Sequence, residues 1–458
     1  MRRLNARPTR HTLGFALSTL AAATAAATPI VTLNDEDDFL PGEDFYAANP
    51  AAVTNVVSGG FFAVGGMTEP FDFNGTTVNL GAGGQVGSRF TKSYLDHVDL
   101  NVTGGKLEDG TTFAGTTGQS NVTMSAGTSI LRLTMQGNTN FNATGGQIGV
   151  NPPGGVPSLI AEGSSIVTVD GASVDNNVQV IESATLLLNS GSIDDFMSVR
   201  DDAVVTVAGG VTGRAMHTFD DSTLNVIGGV VGREFAATER SVVNMSGGGM
   251  EQDAGVFDDA VFNLRGGALE PGFRAYGGKM NILGGVVGDF FRLGAPGKNG
   301  RDGNAEIFAT SAAIDGLDIE GSRILTEREG QFLTADLALG GTIGLELAPS
   351  GVDRILEEAV LTLTIVNDPG DFNGDDVIDA ADYTVWRDNL GAEVPLFTLG
   401  DGDGSGVVDN ADYALWAANY GGSVPPTATA MGMAVPEPTA AGLTLLCLAG
   451  SLGGRRRD

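Results

Sequence analysis

Short apolar segments with a polar residue at their centre recur along the middle of the chain. The segments STLNVIGG, SVVNMSGG, AVFNLRGG and KMNILGG share one template: apolar, Asn or Thr, apolar, any residue, then Gly-Gly. The second apolar residue of the template is found at Val169, Leu188, Val207, Val226, Met245, Leu264 and Ile282. The first five intervals between these positions are 19 residues long, and the last is 18. Alternation with period two predicts a strand that buries one face.

Each repeat contains two further short apolar segments. One follows the glycines and carries Val174, Ile193, Val231, Met250, Leu269 and Val287. The other carries Val178, Met197, Met216, Phe235 and Phe273, and it ends at acidic turns such as Asp201-Asp202, Asp220-Asp221 and Asp258-Asp259. Three short strands and three turns per repeat predict a mainly β fold, a right-handed parallel β-helix or β-solenoid with coils of about 19 residues.

The predicted solenoid covers residues 76–292, because the template also occurs, with longer spacings, at Leu80, Val102, Met124 and Ala143. Its polar position should form an outward ladder of Asn79, Asn101, Thr168, Thr206, Asn225, Asn244, Asn263 and Asn281. Terminal coils expose strand edges and need caps. We expect an N-terminal cap at 28–75 and a β-rich cap at 293–369, where QFLTADLALGGTIGLEL and EAVLTLTIV predict paired antiparallel strands.

Charge and the N-terminus indicate an exported, acidic protein. The net charge of -31 argues against nucleic acid as a partner and suits calcium or a solvated surface. The single cysteine, Cys447, excludes an internal disulfide. Residues 1–27 combine four arginines, an apolar run and a final Ala25-Ala26-Ala27, which predicts a secretory signal peptide; the alternative is a buried N-terminal helix.

The C-terminal segment carries a second candidate targeting signal. Its apolar stretch, residues 439–452, is shorter than the roughly 20 residues that span a bilayer, which by itself indicates a weak anchor or a sorting tail. The VPEP motif at 435–438, the apolar stretch and Arg455, Arg456 and Arg457 together resemble a PEP-CTERM sorting signal over 435–458, after a linker at 422–434. This resemblance implies an exosortase-type processing protease, transient membrane contact, and a location at the cell surface, outer envelope or extracellular matrix.

Two acidic loops near the C-terminus have calcium-ligand spacing. Calcium takes six to eight oxygen atoms, and a twelve-residue loop supplies them from positions one, three, five, seven, nine and twelve. In DFNGDDVIDAAD these positions are Asp371, Asn373, Asp375, Val377 (through its carbonyl), Asp379 and Asp382. In DGDGSGVVDNAD they are Asp401, Asp403, Ser405, Val407 (through its carbonyl), Asp409 and Asp412. We predict two bound calcium ions, with solvated acidic loops as the alternative.

A helical segment with both tryptophans of the chain, Trp386 and Trp416, follows the loops. Their roles stay open between core packing and partner binding. The duplicated loop and helix resemble a type I dockerin domain over residues 370–421, which implies a cohesin-like or other surface protein as partner. Asp376 stands where the turn glycine is expected, whereas Gly406 keeps it, and Ala380-Ala381 and Asn410-Ala411 replace the Ser-Thr pair of many dockerins.

Catalysis on the solenoid is the competing interpretation, because parallel β-helices host polysaccharide lyases and glycoside hydrolases. A lyase needs a basic residue beside acidic ligands, yet Lys279 is the only lysine between residues 107 and 297. His217 has no counterpart in neighbouring repeats. We therefore assign no catalytic residues and expect a structural or adhesion protein, with a polysaccharide as a possible ligand. The alternative is a secreted polysaccharide-degrading enzyme that carries a dockerin.

Overall fold

The computed structural model describes residues 30–33, 43–49, 52–57, 61–62, 70–87, 93–130, 132–150, 155–294 and 303–421. The predicted signal peptide (1–27), linker (422–434) and sorting signal (435–458) lie outside these residues. Strands account for 51% of the structure and helices for 7%, and about 12 turns with a spacing of about 19 residues confirm the mainly β solenoid. Within the described ranges, no helix has both the length and the apolar character needed to cross a membrane.

The chain divides into two compact units, residues 1–366 and 367–458. The first unit contains helix α1 (Glu43–Ala48), and the second contains α2 (Ala380–Asn389) and α3 (Asn410–Asn419). The first strands are β1 (Ile30–Leu33), β2 (Val53–Val56), β3 (Phe61–Phe62), β4 (Phe71–Leu80), β5 (Gln85–Val86), β6 (Ser93–Leu107), β7 (Thr111–Phe113), β8 (Ser120–Ile130), β9 (Leu133–Met135), β10 (Thr139–Ala143), β11 (Gln147–Val150) and β12 (Leu159–Ala161).

The most regular coils follow. Their strands are β13 (Ile166–Val174), β14 (Val178–Val180), β15 (Thr185–Ile193), β16 (Met197–Val199), β17 (Val204–Val207), β18 (Val211–Thr212), β19 (Met216–Thr218), β20 (Thr223–Val226), β21 (Val230–Val231), β22 (Ala236–Ala237), β23 (Val242–Met250), β24 (Gly255–Phe257), β25 (Val261–Leu269), β26 (Arg274–Tyr276), β27 (Lys279–Ile282), β28 (Val286–Val287) and β29 (Arg292–Leu293). The last strands are β30 (Asn304–Ile314), β31 (Leu317–Asp318), β32 (Arg323–Leu325), β33 (Gln331–Leu337), β34 (Thr342–Leu347), β35 (Arg354–Ile355) and β36 (Val360–Ile365).

Parallel pairing stacks equivalent positions of successive coils. The template residues pair in register: Leu188 with Val207, Val207 with Val226, and Val226 with Met245. The segments after the glycines and before the acidic turns form two further parallel ladders, as the pairing of Ser192 with Val211 and of Met197 with Met216 illustrates. Each coil therefore contributes the three predicted segments, although in four of the seven regular coils the first two segments form one longer strand, namely β13, β15, β23 and β25.

The core lies inside the coils, where all three ladders bury their apolar side chains. Each template residue is at most 1% exposed, and Val174, Ile193 and Val231 of the second ladder are 0% exposed. Phe235 and Phe273 are about 1% exposed although each precedes its strand by one residue. Burial of this kind stabilises the fold by roughly 25 cal/mol per Å² of apolar surface, which makes the stacked interior the main source of stability.

The second glycine of the template turns the corner of each coil. Gly229 and Gly248 have φ angles of 65° and 71°, in the left-handed region. A Cβ atom on Gly248 would lie 2.6 Å from the carbonyl oxygen of Gly229 in the preceding coil. Both the backbone conformation and the close approach therefore exclude a side chain at this corner.

Both ends of the solenoid contain strands that continue its parallel ladders. In the segment expected as an N-terminal cap, β1 pairs with β2 and β2 with β4, all parallel. Tyr46 of α1 is fully buried there against Phe71 and Phe73. At the other end, β33 and β34 form the predicted antiparallel hairpin. The segment EAVLTLTIV forms β36, which pairs antiparallel with β32 and parallel with β30. Strand β30 in turn pairs parallel with β27 and so covers the free edge of the last regular coil.

Candidate metal centre

The second acidic loop brings three carboxylates together. One carboxylate oxygen from each of Asp401, Asp403 and Asp412 lies within 4.8 Å of the other two. Asp401 is 1% exposed and Asp412 is 0% exposed. In the described part of the chain, this is the one group of three or more His, Cys, Asp or Glu side chains close enough to hold a metal ion. Like charges at this separation repel, so a cation is the group that these side chains fit.

Backbone N–H groups fix the orientation of the two buried carboxylates. Asp401 accepts hydrogen bonds from the backbone N–H of Ser405 at 2.8 Å and of Gly406 at 3.1 Å, and from Phe397 at 2.9 Å. Asp412 accepts from Gly402 at 2.8 Å, Asp403 at 3.0 Å and Asp409 at 2.7 Å. The loop is thereby folded around its first and last acidic residues, as a twelve-residue cation loop requires.

Burial also changes the protonation of these carboxyl groups. It raises the pKa of Asp401, and the charge of Asp412 acts in the same direction. Burial likewise raises the pKa of Asp412, with a further contribution from the charge of Asp403. The backbone hydrogen bonds partly oppose both shifts. A bound cation would favour the ionised forms, so metal binding and proton release are coupled at this site.

The other predicted ligands of the second loop surround this group. The Ser405 hydroxyl donates to the Val407 carbonyl at 2.9 Å, so the ligands predicted at positions five and seven contact each other. The Asp409 carboxylate accepts from the Ala411 N–H at 2.7 Å and forms the N-cap of α3. Asp409 therefore has a structural role as a helix cap in addition to its predicted role at position nine.

The first loop has the same backbone frame and a different side-chain arrangement. Asp371 accepts from Gly374 at 2.8 Å, and Asp382, which is 0% exposed, accepts from Phe372 at 2.8 Å. The Asn373 amide, however, donates to the Asp375 carboxylate at 3.0 Å, and Asp379 is the N-cap of α2. Among the described residues, the carboxylates of this loop do not form a group as close as that of the second loop. The Val377 side chain is exposed.

The residue that replaces the turn glycine keeps the glycine conformation. Asp376 has a φ angle of 64°, and Gly406 at the equivalent position has 82°. Aspartate is one of the few residues with a side chain that adopts this left-handed conformation regularly. The departure from the dockerin pattern at Asp376 therefore leaves the backbone of the first loop unchanged at this turn.

The two loop-helix repeats exchange equivalent hydrogen bonds. The Trp386 indole N–H of α2 donates to the Asp409 carbonyl at 2.6 Å, and that of Trp416 in α3 donates to the Asp379 carbonyl at 2.9 Å. Trp386 is 8% exposed, and Trp416 is half-buried. The ligand spacing does not predict this exchange, although the two Trp residues and the two Asp residues have the same offset of 30 residues, which is a signal of it.

Aromatic rings fill the space between α2 and α3. The Tyr383 ring lies 5.6 Å from Trp386, 5.4 Å from Trp416 and 6.2 Å from Tyr413, measured between centroids. Tyr413 remains 40% exposed and Tyr420 56% exposed. The tryptophans thus belong to a small core whose edge is open to solvent.

On the solenoid, the polar positions bond to one another from coil to coil. The amide of Asn244 donates to Asn225 at 3.1 Å, Asn263 donates to Asn244 at 2.9 Å, and Asn281 donates to Asn263 at 2.7 Å. The predicted outward ladder is therefore hydrogen-bonded over these coils. Asn79 makes equivalent bonds of 3.0 Å with Asn55 and Asn101.

The acidic turns form a second ladder. The Asp201 carboxylate accepts from the Glu182 backbone N–H at 2.9 Å, Asp220 accepts from Asp201 at 3.2 Å, and Glu239 accepts from Asp220 at 2.7 Å. These hydrogen bonds give the acidic side chains a role in stacking successive coils.

His217, the histidine without a counterpart in neighbouring repeats, lies between the rings of Phe196 and Phe219, and burial lowers its pKa.

No protein-family description, curated protein or solved structure matches this chain. Its function is therefore inferred from its own residues and their geometry.

Proposed function

We propose that the chain is an exported structural or adhesion protein of the cell surface or extracellular matrix, in which the C-terminal two-helix module binds calcium and docks to a partner. The observation that carries this proposal is the close group of Asp401, Asp403 and Asp412, two of them buried and oriented by backbone N–H groups. A buried acidic group of this kind is unfavourable alone and favourable around a cation.

The donor set favours calcium among the common metal ions. All predicted ligands are oxygen atoms from carboxylates, an amide, a hydroxyl and backbone carbonyls. Zinc prefers nitrogen and sulfur ligands, and magnesium requires near-octahedral geometry and retains several waters. A flexible loop with alternating oxygen donors suits the larger calcium ion. We propose one ion in each loop, with the second loop the more completely formed.

The docking role rests on the duplicated loop and helix. The reciprocal bonds of Trp386 and Trp416 join the two repeats into one unit, so calcium in either loop would stabilise the surface that both helices present. The resemblance to a type I dockerin suggests a cohesin-like partner. The residues at the usual contact pair, Ala380-Ala381 and Asn410-Ala411, favour a different surface protein. The candidate signal peptide and the PEP-CTERM-like tail support export and exosortase processing.

The solenoid supports a structural role through the use of its polar side chains. The asparagine ladder and the acidic turns form hydrogen bonds from coil to coil, which stabilises a stack of coils. Polysaccharide cleavage, the competing function, would instead require acidic residues that face a substrate. Release of shorter saccharides by the full chain, abolished by a single Asp substitution on the solenoid, would replace the structural proposal with the enzymatic one.

Calcium titration of the full chain tests the module. Trp386 and Trp416 are the only tryptophans, so their fluorescence reports on this module. We expect a saturable change that a chelator reverses, and calorimetry should give two ions per chain. Asp401→Asn should remove the second site, whereas the control Asp388→Asn, an exposed residue of α2, should retain both. Fluorescence and calorimetry that show no response to calcium would refute the metal assignment.

A further inference from the structure

A cleft lies on the exposed face of the antiparallel strands near the C-terminal end of the solenoid unit. Its volume is about 510 Å³. Strand β33 runs through its centre and pairs with β30 on one side and β34 on the other. From its sequence, this region was predicted only as a β-rich cap.

Small and polar side chains form the floor of the cleft. Across the strands, Thr334 lies opposite Ala313 and Gly344, and Asp336 pairs with Ser311 and Thr342. The alternate residues of β33 point to the other face, where Leu333, Ala335 and Leu337 are buried in the core. The floor is therefore rich in hydroxyl and carboxylate groups, and the buried Ile343 is the one large apolar residue of its lining.

These polar groups are available to a ligand. The Ser311 hydroxyl donates to one oxygen of the exposed Asp336 carboxylate at 2.7 Å, which orients that carboxylate. Thr334, Thr342 and Asp318, which also line the cleft, are exposed. A ligand with many hydroxyl groups can donate to the two carboxylates and exchange hydrogen bonds with the two threonines.

An exposed aromatic ring adjoins the floor. Phe332 precedes Thr334 by two residues on the same face and is 48% exposed. Its ring lies over Gly344, since a Cβ atom on that glycine would stand 3.0 Å from the Phe332 Cζ atom. The absent side chain thus allows the ring to lie against the sheet. Rings with one face in solvent stack on the C–H face of pyranose sugars, which joins apolar contact to hydroxyl hydrogen bonding.

We propose that this cleft binds a segment of a neutral polysaccharide. The occupant is argued from charge: the lining carries Asp318 and Asp336 and no lysine or arginine, and the chain has a net charge of -31. Both features repel polyanionic glycans and leave neutral hydroxyl-rich chains as the complementary class. This site names a ligand for the proposed surface role but uses residues outside the calcium module, so binding should not require calcium.

Calorimetry of the full chain tests the proposal with hexasaccharides of β-1,4-linked glucose, N-acetylglucosamine, mannose and xylose, and with alginate as the polyanionic probe. We expect at least one neutral hexasaccharide to bind in the presence of a chelator, and alginate not to bind. Phe332→Ala and Thr334→Val should each lower the affinity at least five-fold. Phe290→Ala is the matched control, because Phe290 is 49% exposed and lies between β28 and β29, outside the strands that form the cleft.

The outcomes separate this proposal from the calcium assignment. Failure of all four neutral hexasaccharides to bind, or equal affinities for Phe332→Ala, Thr334→Val and the original chain, would refute the glycan site while leaving calcium binding untouched. Tighter binding of alginate would refute the charge argument. Thr334→Val preserves shape and strand preference, so loss of binding by this variant, with an unchanged circular dichroism spectrum, cannot be attributed to unfolding.

Discussion

At the residue scale, asparagine performs two tasks in one position of the coil. Its backbone pairs in the parallel ladder, and its side-chain amide both donates and accepts along the stack. Asn244 makes both bonds, to Asn225 and from Asn263, whereas Thr206 holds the same outward position one coil before Asn225. The ladder is thus a source of stability that alternation of polar and apolar residues alone does not reveal.

Asn244→Ala should therefore destabilise the solenoid more than a neutral surface substitution. Two amide hydrogen bonds are lost, and their partners are only partly exposed to replacing water, so we expect about 2 kcal/mol. Thr206→Ala is the control, since it removes a β-favouring side chain at the equivalent position. Urea unfolding followed by circular dichroism measures both variants. Equal midpoints for Asn244→Ala and Thr206→Ala would show that the amide ladder contributes nothing.

Asp401 and Asp412 make the stability of the calcium-free module depend on pH. Their pKa values in the fold are raised above the ordinary value near 3.9, so the folded module binds protons more tightly than the unfolded chain. Their contribution to stability is then complete below pH of about 4 and is lost as pH rises through the raised values. Saturating calcium should offset this loss because it binds the ionised carboxylates.

Thermal unfolding followed by tryptophan fluorescence checks this dependence. In calcium-free buffer the melting temperature should fall between pH of about 4 and 7, and with calcium it should remain high at pH 7. Asp401→Asn/Asp412→Asn should flatten the calcium-free profile. A melting temperature that rises with pH in calcium-free buffer would contradict the raised pKa values.

Ligand spacing predicted which three carboxylates of the second loop come together, but not the further hydrogen bonds that the other predicted ligands make. Asp401, Asp403 and Asp412 come together as the twelve-residue pattern requires. Asp379 and Asp409 also cap helices, and Asn373 bonds to Asp375, because short polar side chains bond to whichever backbone or side-chain group the local turn presents. Sequence spacing does not encode that choice.

At the element scale, each helix of the C-terminal module supports the loop of the other repeat. The Trp386 indole of α2 bonds to the carbonyl of Asp409, a predicted ligand of the second loop and the N-cap of α3. The Gly391 N–H donates to the Val408 carbonyl at 2.8 Å. The second loop is therefore held at two successive carbonyls, by Trp386 of α2 and by Gly391, two residues beyond the end of that helix.

Trp386→Phe should weaken calcium binding at the second loop. The substitution keeps an aromatic ring and removes the indole donor, which costs about 1 kcal/mol and lowers affinity about five-fold. Calorimetry that resolves the two sites measures the change. Tyr420→Phe, at an exposed ring of the same aromatic cluster, is the control and should leave both affinities unchanged. An unchanged calcium affinity of the second loop in Trp386→Phe would show that the indole hydrogen bond contributes only to packing.

The coils were predictable because the same 19-residue repeat determines both the register of the buried apolar residues and the positions of the glycine corners. The 19-residue spacing places equivalent apolar residues in register, and the glycines satisfy a left-handed corner in each coil. The ends were less predictable. There the template stops, and β30 pairs with β27, β33 and β36 in both parallel and antiparallel ladders. Such non-repeating pairings depend on which strand edge is left unpaired at the end of the solenoid, and the local sequence pattern does not contain that information.

At the scale of the whole molecule, three proposed activities lie in separate parts of the chain. The glycan cleft belongs to the solenoid unit, the calcium loops belong to the two-helix module, and the sorting motif belongs to residues 435–458. Because no residue is shared among them, each can be removed by substitution without direct loss of the others. Under these proposals, we expect retention at the surface to require the docking module or the glycan cleft, and processing to require only the C-terminal motif.

Processing at that motif is the last prediction. Proline has a fixed φ angle and disfavours helix in the residue before it, so the sequence around Pro436 and Pro438, which lies outside the described residues, predicts an extended peptide that a protease can bind. The mature protein should lack residues beyond about 438, together with Cys447, and mass spectrometry of its C-terminal peptide measures this. Pro436→Ala/Pro438→Ala should retain the tail, whereas the control Pro425→Ala/Pro426→Ala in the linker should be processed normally. Recovery of LLCLAGSLGGRRRD on the exported protein would identify the segment as a retained anchor instead.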